Sequence, residues 1–211
     1  MTRTGITITA LFAALTLATG SLMAQEKDKD GFISLFDGKS IAGWKVNESP
    51  DSFSVKDGTI IAHGPRAHLF YVGEVKDHNF KNFHFKADVM TKTGANSGLY
   101  FHTKFQETGW PSMGYEVQVN QTHGDPKKTS GLYGVKDVFE APVKDDEWYT
   151  QEIIVKGNQI ITKVNGKTLV DYTQPKDVEG DRKLSSGTFA IQAHDPNSIV
   201  FFKNIKVKPL D

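Results

Sequence analysis

Alternation with a period of two runs through this chain in short bursts, each closed by residues that turn the backbone. In Gly114-Tyr115-Glu116-Val117-Gln118-Val119-Asn120, three apolar side chains fall on one face of a strand and an acid and two amides on the other. Phe83 to Met90 alternates in the same way. Further short runs lie at Phe32–Phe36, Gly43–Val46, Ser52–Val55, Thr59–Ala62, Leu69–Val72 and Ser97–Thr103, then at Tyr149–Lys156, Gln159–Val164, Lys167–Tyr172, Thr188–His194 and Ile199–Lys208. Asp57-Gly58, Gly157-Asn158 and Asn165-Gly166 are hairpin turn pairs. No stretch of ten or more residues keeps a helical period. Such a chain is all-β and closes as a sandwich or barrel of antiparallel sheets.

The start of the chain reads as an address. Arg3, the apolar and Thr-rich run from Ile6 to Leu17, and Leu22-Met23-Ala24 predict a secretory signal peptide over residues 1–24, with a retained membrane anchor as the alternative. The product would be periplasmic or secreted, with no membrane association after cleavage. Residues 25–30 form a charged, exposed leader, and residues 31–211 a single domain. The 25 Lys and Arg balance 25 Asp and Glu, so nothing in the charge favours nucleic acid or anionic membrane. With no Cys, disulfide, thiolate and zinc–cysteine chemistry are excluded, and 14 Phe must supply much of the core.

Three strands carry polar faces richer than solvation requires. Tyr100 and His102 share one face of their strand, Glu116, Gln118 and Asn120 one face of theirs, and Gln192 and His194 one face of a third. If the three lie in one sheet, these groups converge on its concave side, a surface of aromatics, amides and acids that suits a carbohydrate. A His beside a Glu suits proton transfer near neutral pH. A single such His is more often a structural residue. The loop 121–130 brings His123, Asp125, Lys127 and Lys128 within reach of the same face, and Trp110-Pro111 would give a stacking platform or a core contact. His63, Arg66 and His68 form another polar cluster, while Trp44 and Trp148 read as core. His and carboxylate donors are compatible with a divalent metal, but no HExxH spacing indicates one, and no cofactor is required. Asn47-Glu48-Ser49 and Asn120-Gln121-Thr122 match the glycosylation triplet.

The order of these blocks has a counterpart. Phe32-Ile33-Ser34-Leu35-Phe36-Asp37-Gly38-Lys39 with Gly43-Trp44, then Asn96 to His102, Gly114 to Val119 and Gly131-Leu132-Tyr133-Gly134 resemble the family once designated DUF1080, the 3-keto-disaccharide hydrolase domain. Glu147-Trp148, Val164-Asn165-Gly166-Lys167, Gln192-Ala193-His194, Phe202-Lys203-Asn204-Ile205 and Pro209-Leu210 continue the resemblance to the end. It implies a concanavalin A-like jelly-roll sandwich of two antiparallel sheets that acts on glycosides oxidised to a ketone at C3. The commoner family pattern has Arg where His102 stands and Asp where Asn120 stands, a departure that bears on the substrate.

A C3 ketone acidifies the proton on C2. A base removes it, the enolate expels the C1 substituent, and water adds back for net hydrolysis. His194 or His102 is the expected base, with Glu116 orienting it or sharing its proton. Gln118, Gln192 and Lys128 are expected to hold hydroxyls or the developing oxyanion. Tyr100, Asn120, Asp125 and Trp110 complete the expected sugar contacts. The competing expectation is a lectin-like, non-catalytic carbohydrate-binding module on the same fold.

Overall fold

Thirteen strands build the domain, in a computed structural model that describes residues 1 and 26–211. The signal-peptide reading falls almost wholly outside these residues. The strands are β1 (Ile33–Ser34), β2 (Trp44–Val46), β3 (Phe53–Lys56), β4 (Thr59–Ala62), β5 (Ala67–Tyr71), β6 (Phe83–Thr91) and β7 (Asn96–Thr103). They continue as β8 (Tyr115–Asn120), β9 (Tyr149–Lys156), β10 (Gln159–Val164), β11 (Lys167–Thr173), β12 (Thr188–Ala193) and β13 (Val200–Pro209). The helices among the described residues are two short 3-10 turns at Pro50–Ser52 and Val75–His78.

The strands form two antiparallel sheets. One runs β11-β10-β9-β6-β13-β4-β3, with β1 also paired to β13, and the other runs β2-β5-β12-β7-β8. This is the jelly-roll sandwich that the alternation and the resemblance imply. Turn chemistry sets the hairpins as expected: Asp57 and Gly58 both take positive φ, 50° and 73°, and Asn165 and Gly166 take 49° and 80°. That is the mirror-image turn whose twist matches antiparallel strands. The opening apolar run is shorter as a strand than its sequence suggests, because only Ile33 and Ser34 pair with β13.

The inner faces of both sheets meet in one apolar core. Tyr115, Val117 and Val119 of β8 lie in it, as their alternation requires. Phe189 of β12 is its hub, with ring centroids 4.7 Å from Phe80, 4.9 Å from Phe83 and 4.7 Å from Phe85. Cutting such a ring back to Ala costs about 3–5 kcal/mol. Trp44 is core as expected, with its indole N–H donating to the Leu35 carbonyl at 2.7 Å. Trp148 is not: it is 39% exposed and carries the Lys203 ammonium 3.9 Å from its ring centroid. The charged leader is exposed but anchored. Asp28 accepts the Phe32 N–H at 2.8 Å and the Lys206 ammonium at 2.9 Å. Neither glycosylation triplet offers a free acceptor, since Asn120 is fully buried and the Asn47 amide nitrogen is buried too.

The outer face of the five-stranded sheet is covered as well. All six residues of β8 are buried, the polar ones included. Three loops contribute on this side: Trp110 and Pro111 from the first, Asp125 and Tyr133 from residues 121–133, and Arg182 from the third line one cleft with Glu116 and Gln118. The second folds back along the free edge of β8, where Gln118 N–H donates to Gly131 O at 2.9 Å and Tyr133 N–H to Glu116 O at 2.9 Å. The exposed edge of a sheet is thereby closed, and two loop side chains are delivered to its polar face.

Candidate functional site

Register decides which polar groups meet. Across the outer face, Lys45 pairs with Phe70, Phe70 with Ala190, Ala190 with Tyr100, and Tyr100 with Glu116. One row further along, His68 pairs with Gln192 and Gly98 with Gln118, and beyond these Asn96 pairs with Asn120. Gly98 is the gap in this array. A Cβ placed there would stand 2.4 Å from Glu116 Oε1. Its absence lets the Glu116 side chain lie back over β7 and reach Tyr100 and Gln192.

Glu116 is the centre of the network. Gln192 Nε2 donates to Glu116 Oε1 at 3.1 Å and to the Tyr100 hydroxyl oxygen at 2.9 Å. The Tyr100 hydroxyl in turn is hydrogen-bonded to the Glu116 carboxylate. Burial pushes the Glu116 carboxyl above the usual carboxylate range, against the lowering effect of Tyr100, the Arg182 charge and Gln192. Burial, together with the Glu116 charge, drives the Tyr100 phenol well above its ordinary value. Two acceptors on this floor, Gln192 Oε1 and Asn96 Oδ1, are buried and have no partner in the protein.

The floor opens into a cleft of about 420 Å³ lined by Asn96, Tyr100, Trp110, Pro111, Glu116, Gln118, Asp125, Tyr133, Arg182, Gln192 and His194. Seven expected site residues are therefore gathered in one place: Tyr100, Trp110, Glu116, Gln118, Asp125, Gln192 and His194. Trp110 is 44% exposed, so it is not the core contact that its sequence equally allowed. Asp125 accepts from the Tyr133 hydroxyl at 3.0 Å.

His194 sits at the end of β12 with an orienting partner. Its Nδ1 lies 2.7 Å from Asp195 Oδ2. Burial raises the Asp195 carboxyl, but hydrogen bonds from His194, Ser198 and the Asn197 N–H outweigh it and hold the group below its ordinary value. Asp195 is thus a carboxylate that can only accept, so His194 Nδ1 carries the proton shared with it and Nε2 is the ring nitrogen left for a ligand. The geometry is that of a base held by a third group.

Three expected site residues lie elsewhere. His102 sits at a register shift between β7 and β12 with φ of 55°, which breaks the alternation and turns its ring off the Tyr100 face. Its Nδ1 accepts the Ser185 N–H at 3.1 Å and its Nε2 donates to the Lys81 carbonyl at 3.0 Å, with Phe83 and Phe101 against the ring. Burial lowers its pKa to about 4. It is a neutral structural tie, not a base in the cleft. Asn120 organises the 121–133 loop: its Nδ2 donates to Asp125 O at 2.9 Å and Lys127 O at 2.8 Å, and its Oδ1 accepts the His123 N–H at 2.9 Å. Lys128 staples the same loop, donating to the carbonyls of His123 and Asp125, both at 2.9 Å. Both residues are consumed by backbone groups and do not line the cleft.

Sequence reasoning missed Asn96, Tyr133, Arg182 and Asp195. Tyr133 lay within a recognised block and Asp195 directly follows His194, so both were within reach. Arg182 stands in a charged stretch that reads as a solvated loop, and no local signal marks it. It is nevertheless, among the described residues, the one permanently charged cation lining the cleft. His123, His194 and Asp195 bring one ligand atom each to within 4.8 Å of one another, the one such grouping among the described residues. On these rings His194 Nδ1 is bonded to Asp195, and His123 Nδ1 accepts the Asp125 N–H at 3.1 Å.

Known proteins resemble this chain in sequence or in fold. A 3-keto-disaccharide hydrolase of Bacteroides thetaiotaomicron is 25% identical, the match covering 87% of this chain and 80% of the relative. A solved structure from Parabacteroides distasonis, provisionally named a glycosyl hydrolase, superposes with a TM-score of 0.72 at 26% identity, over 86% of this chain and 95% of that one. The carbohydrate-binding module CBM66 of Bacillus subtilis shares the fold at 13% identity with a TM-score of 0.56, over 79% of this chain and 95% of its own. The model of the 3-keto-alpha-glucoside-1,2-lyase-like domain matches residues 31–208, and the chain belongs to that family.

Proposed function

We propose that the protein cleaves the glycosidic bond of a 3-keto-glycoside or 3-keto-disaccharide by proton abstraction at C2 and β-elimination, followed by addition of water. The observation that carries this reading is the placement of two unlike proton carriers in one cleft. His194 is an imidazole held through Nδ1 by Asp195, with Nε2 left to accept the C2 proton. Glu116 is a carboxyl biased by burial towards its protonated form, suited to give a proton to the departing C1 oxygen. The Arg182 guanidinium, with Gln192 and Gln118, would carry the negative charge that develops on the C3 oxygen. Elimination leaves a C1–C2 double bond, and addition of water across it completes the hydrolysis. The route dispenses with the opposed carboxylate pair of an ordinary glycosidase. It also uses no cofactor. We read the chain as exported, in keeping with its charged start and apolar leader.

The exposed Trp110 ring beside this floor favours one second reading, a sugar-binding module without turnover. Incubation with 3-keto-sucrose and an aryl 3-keto-glucoside, with and without chelator, separates the two. The enzyme reading expects release of the C1 substituent in both arms. Absence of product in both, with retained affinity for the unmodified sugar, sinks it. Product only without chelator assigns a metal to the site.

A further inference from the structure

Trp110 stands on a loop, and its position is held from outside the cleft. Glu48, on the segment after β2, forms a two-pronged ion pair with Arg66: Nε to Oε1 at 3.0 Å and Nη2 to Oε2 at 2.9 Å. The same Oε1 accepts the N–H of Gly109, the residue before Trp110, at 3.1 Å. Arg66 also places its guanidinium carbon 5.4 Å from the Trp110 ring centroid. On another side the Trp110 ring meets His68 edge-on, with centroids 5.5 Å apart, and His194 lies 5.4 Å away. His68 is fully buried, has no hydrogen-bond partner on either ring nitrogen, and packs edge-on against Tyr100 at 5.3 Å.

A surface ion pair contributes little to overall stability. This one is placed where geometry, not stability, is at stake. It links three segments that are distant in sequence, and two of its contacts end on the backbone and the ring of the platform loop. We propose that Glu48 and Arg66 are positioning residues that set the height and tilt of Trp110 against the buried His68 ring, and so govern affinity for the sugar without entering the chemistry. The proposal rests on the reading of the cleft as a sugar site. It predicts that losing the pair frees Trp110 and weakens ground-state binding, while proton transfer by His194 and Glu116 is preserved.

The test uses the whole chain labelled with 5-fluorotryptophan, in which Trp110→Phe assigns one of three fluorine resonances. In Glu48→Gln and Arg66→Gln the Trp110 resonance should shift and broaden while those of Trp44 and Trp148 stay. Arg66→Lys, which keeps the charge but not the fork, should fall between. With the aryl 3-keto-glucoside, KM should rise about three- to tenfold, the scale of one impaired aromatic contact, with kcat within about twofold. A Trp110 resonance that does not move in any of the three variants overturns the proposal, as does a fall in kcat with unchanged KM. If wild-type protein turns over no 3-keto substrate, the enzyme reading has failed. The dissociation constant for the unmodified glucoside, read on the same resonance, then takes the place of KM. A rise in the order Lys, then Gln supports the proposal, and equal constants overturn it.

Discussion

Strands β6 and β8 alternate equally well in sequence, and the fold treats them in opposite ways. On β6 Phe83, Phe85, Ala87 and Val89 are buried and His84, Lys86 and Asp88 half-exposed, in strict alternation. Its polar face is self-sufficient: His84 and Lys86 meet Glu152 at 2.7 and 3.2 Å, and Asp88 accepts from Thr150 and Asn204, both at 2.7 Å. The hydrogen bond from His84 comes first among the causes that hold the Glu152 carboxyl down at about 2. On β8 the polar face is buried, its carboxyl is pushed up, and acceptors beside it lack partners. The Glu152 carboxylate, which β9 holds against the β6 face, is stabilised in its charged form, whereas the one on β8 is held away from it. That contrast separates a structural ion cluster from a site that stores reactivity.

The largest effect should follow from breaking the β8 side. Glu116→Gln or His194→Ala is expected to cut turnover of a 3-keto-glycoside by about 10²–10⁴-fold, with an unchanged melting profile. In the wild type, activity should decline as pH rises through the raised Glu116 value, because the acid form is lost, and the Gln variant should lack that limb. Wild-type rates in both variants would remove these residues from the mechanism.

Gly98→Ala tests the same centre through space alone. The new methyl would press on Glu116 Oε1 and, at 3.0 Å, on its Cγ, so the carboxyl must leave Tyr100 or Gln192. The flexible end can give way at small cost in stability, but the displacement should lower kcat by about ten- to a hundredfold. A full rate with Ala at this position would show that the Glu116 geometry is not critical.

His102→Asn should sharpen the contrast from the other direction. Asn tolerates the positive φ but cannot span from Lys81 O to Ser185 N. Urea unfolding should show a loss of about 1–3 kcal/mol, with the rate per folded molecule and its pH profile unchanged. A collapse of the rate without loss of stability would return His102 to the site.

The smallest effect on activity belongs to Glu152, the β9 partner of the β6 polar face. Glu152 has a folded pKa near 2 against an ordinary value of 4.5, so its contribution to stability is present above about 4.5 and lost as pH falls towards 2. Glu152→Gln should flatten the stability curve in that window and leave turnover untouched. An unaltered acid slope would mean that the cluster contributes nothing.

Much of this was legible in the chain, for identifiable reasons. The alternation of Tyr115 to Asn120 assigned its apolar members to the core, since a strand has only two faces. Glu116, Gln118 and Gln192 followed from the same parity, and so did Tyr100. Parity failed at His102, where a register shift inserts one residue and reverses what comes after. It also failed to separate Asn120 from Gln118. Both face the same way, but the returning loop claims the Asn120 amide for its own backbone.

What the sequence determined by itself is local: the strand faces, the hairpin turns at Asp57-Gly58 and Asn165-Gly166, and the apolar set that makes the core. These follow from side-chain period and from backbone angles that only certain residues adopt. The tertiary structure decided the rest. Burial of the β8 polar face depends on three loops closing over it, and the rise of the Glu116 carboxyl depends on that burial. Arg182 reaches the cleft from a loop more than sixty positions away along the chain from Glu116. Glu48 steadies Trp110 from a similar distance. Desolvation and long-range contact arise only when the sandwich closes, and no neighbouring residue in the chain encodes them.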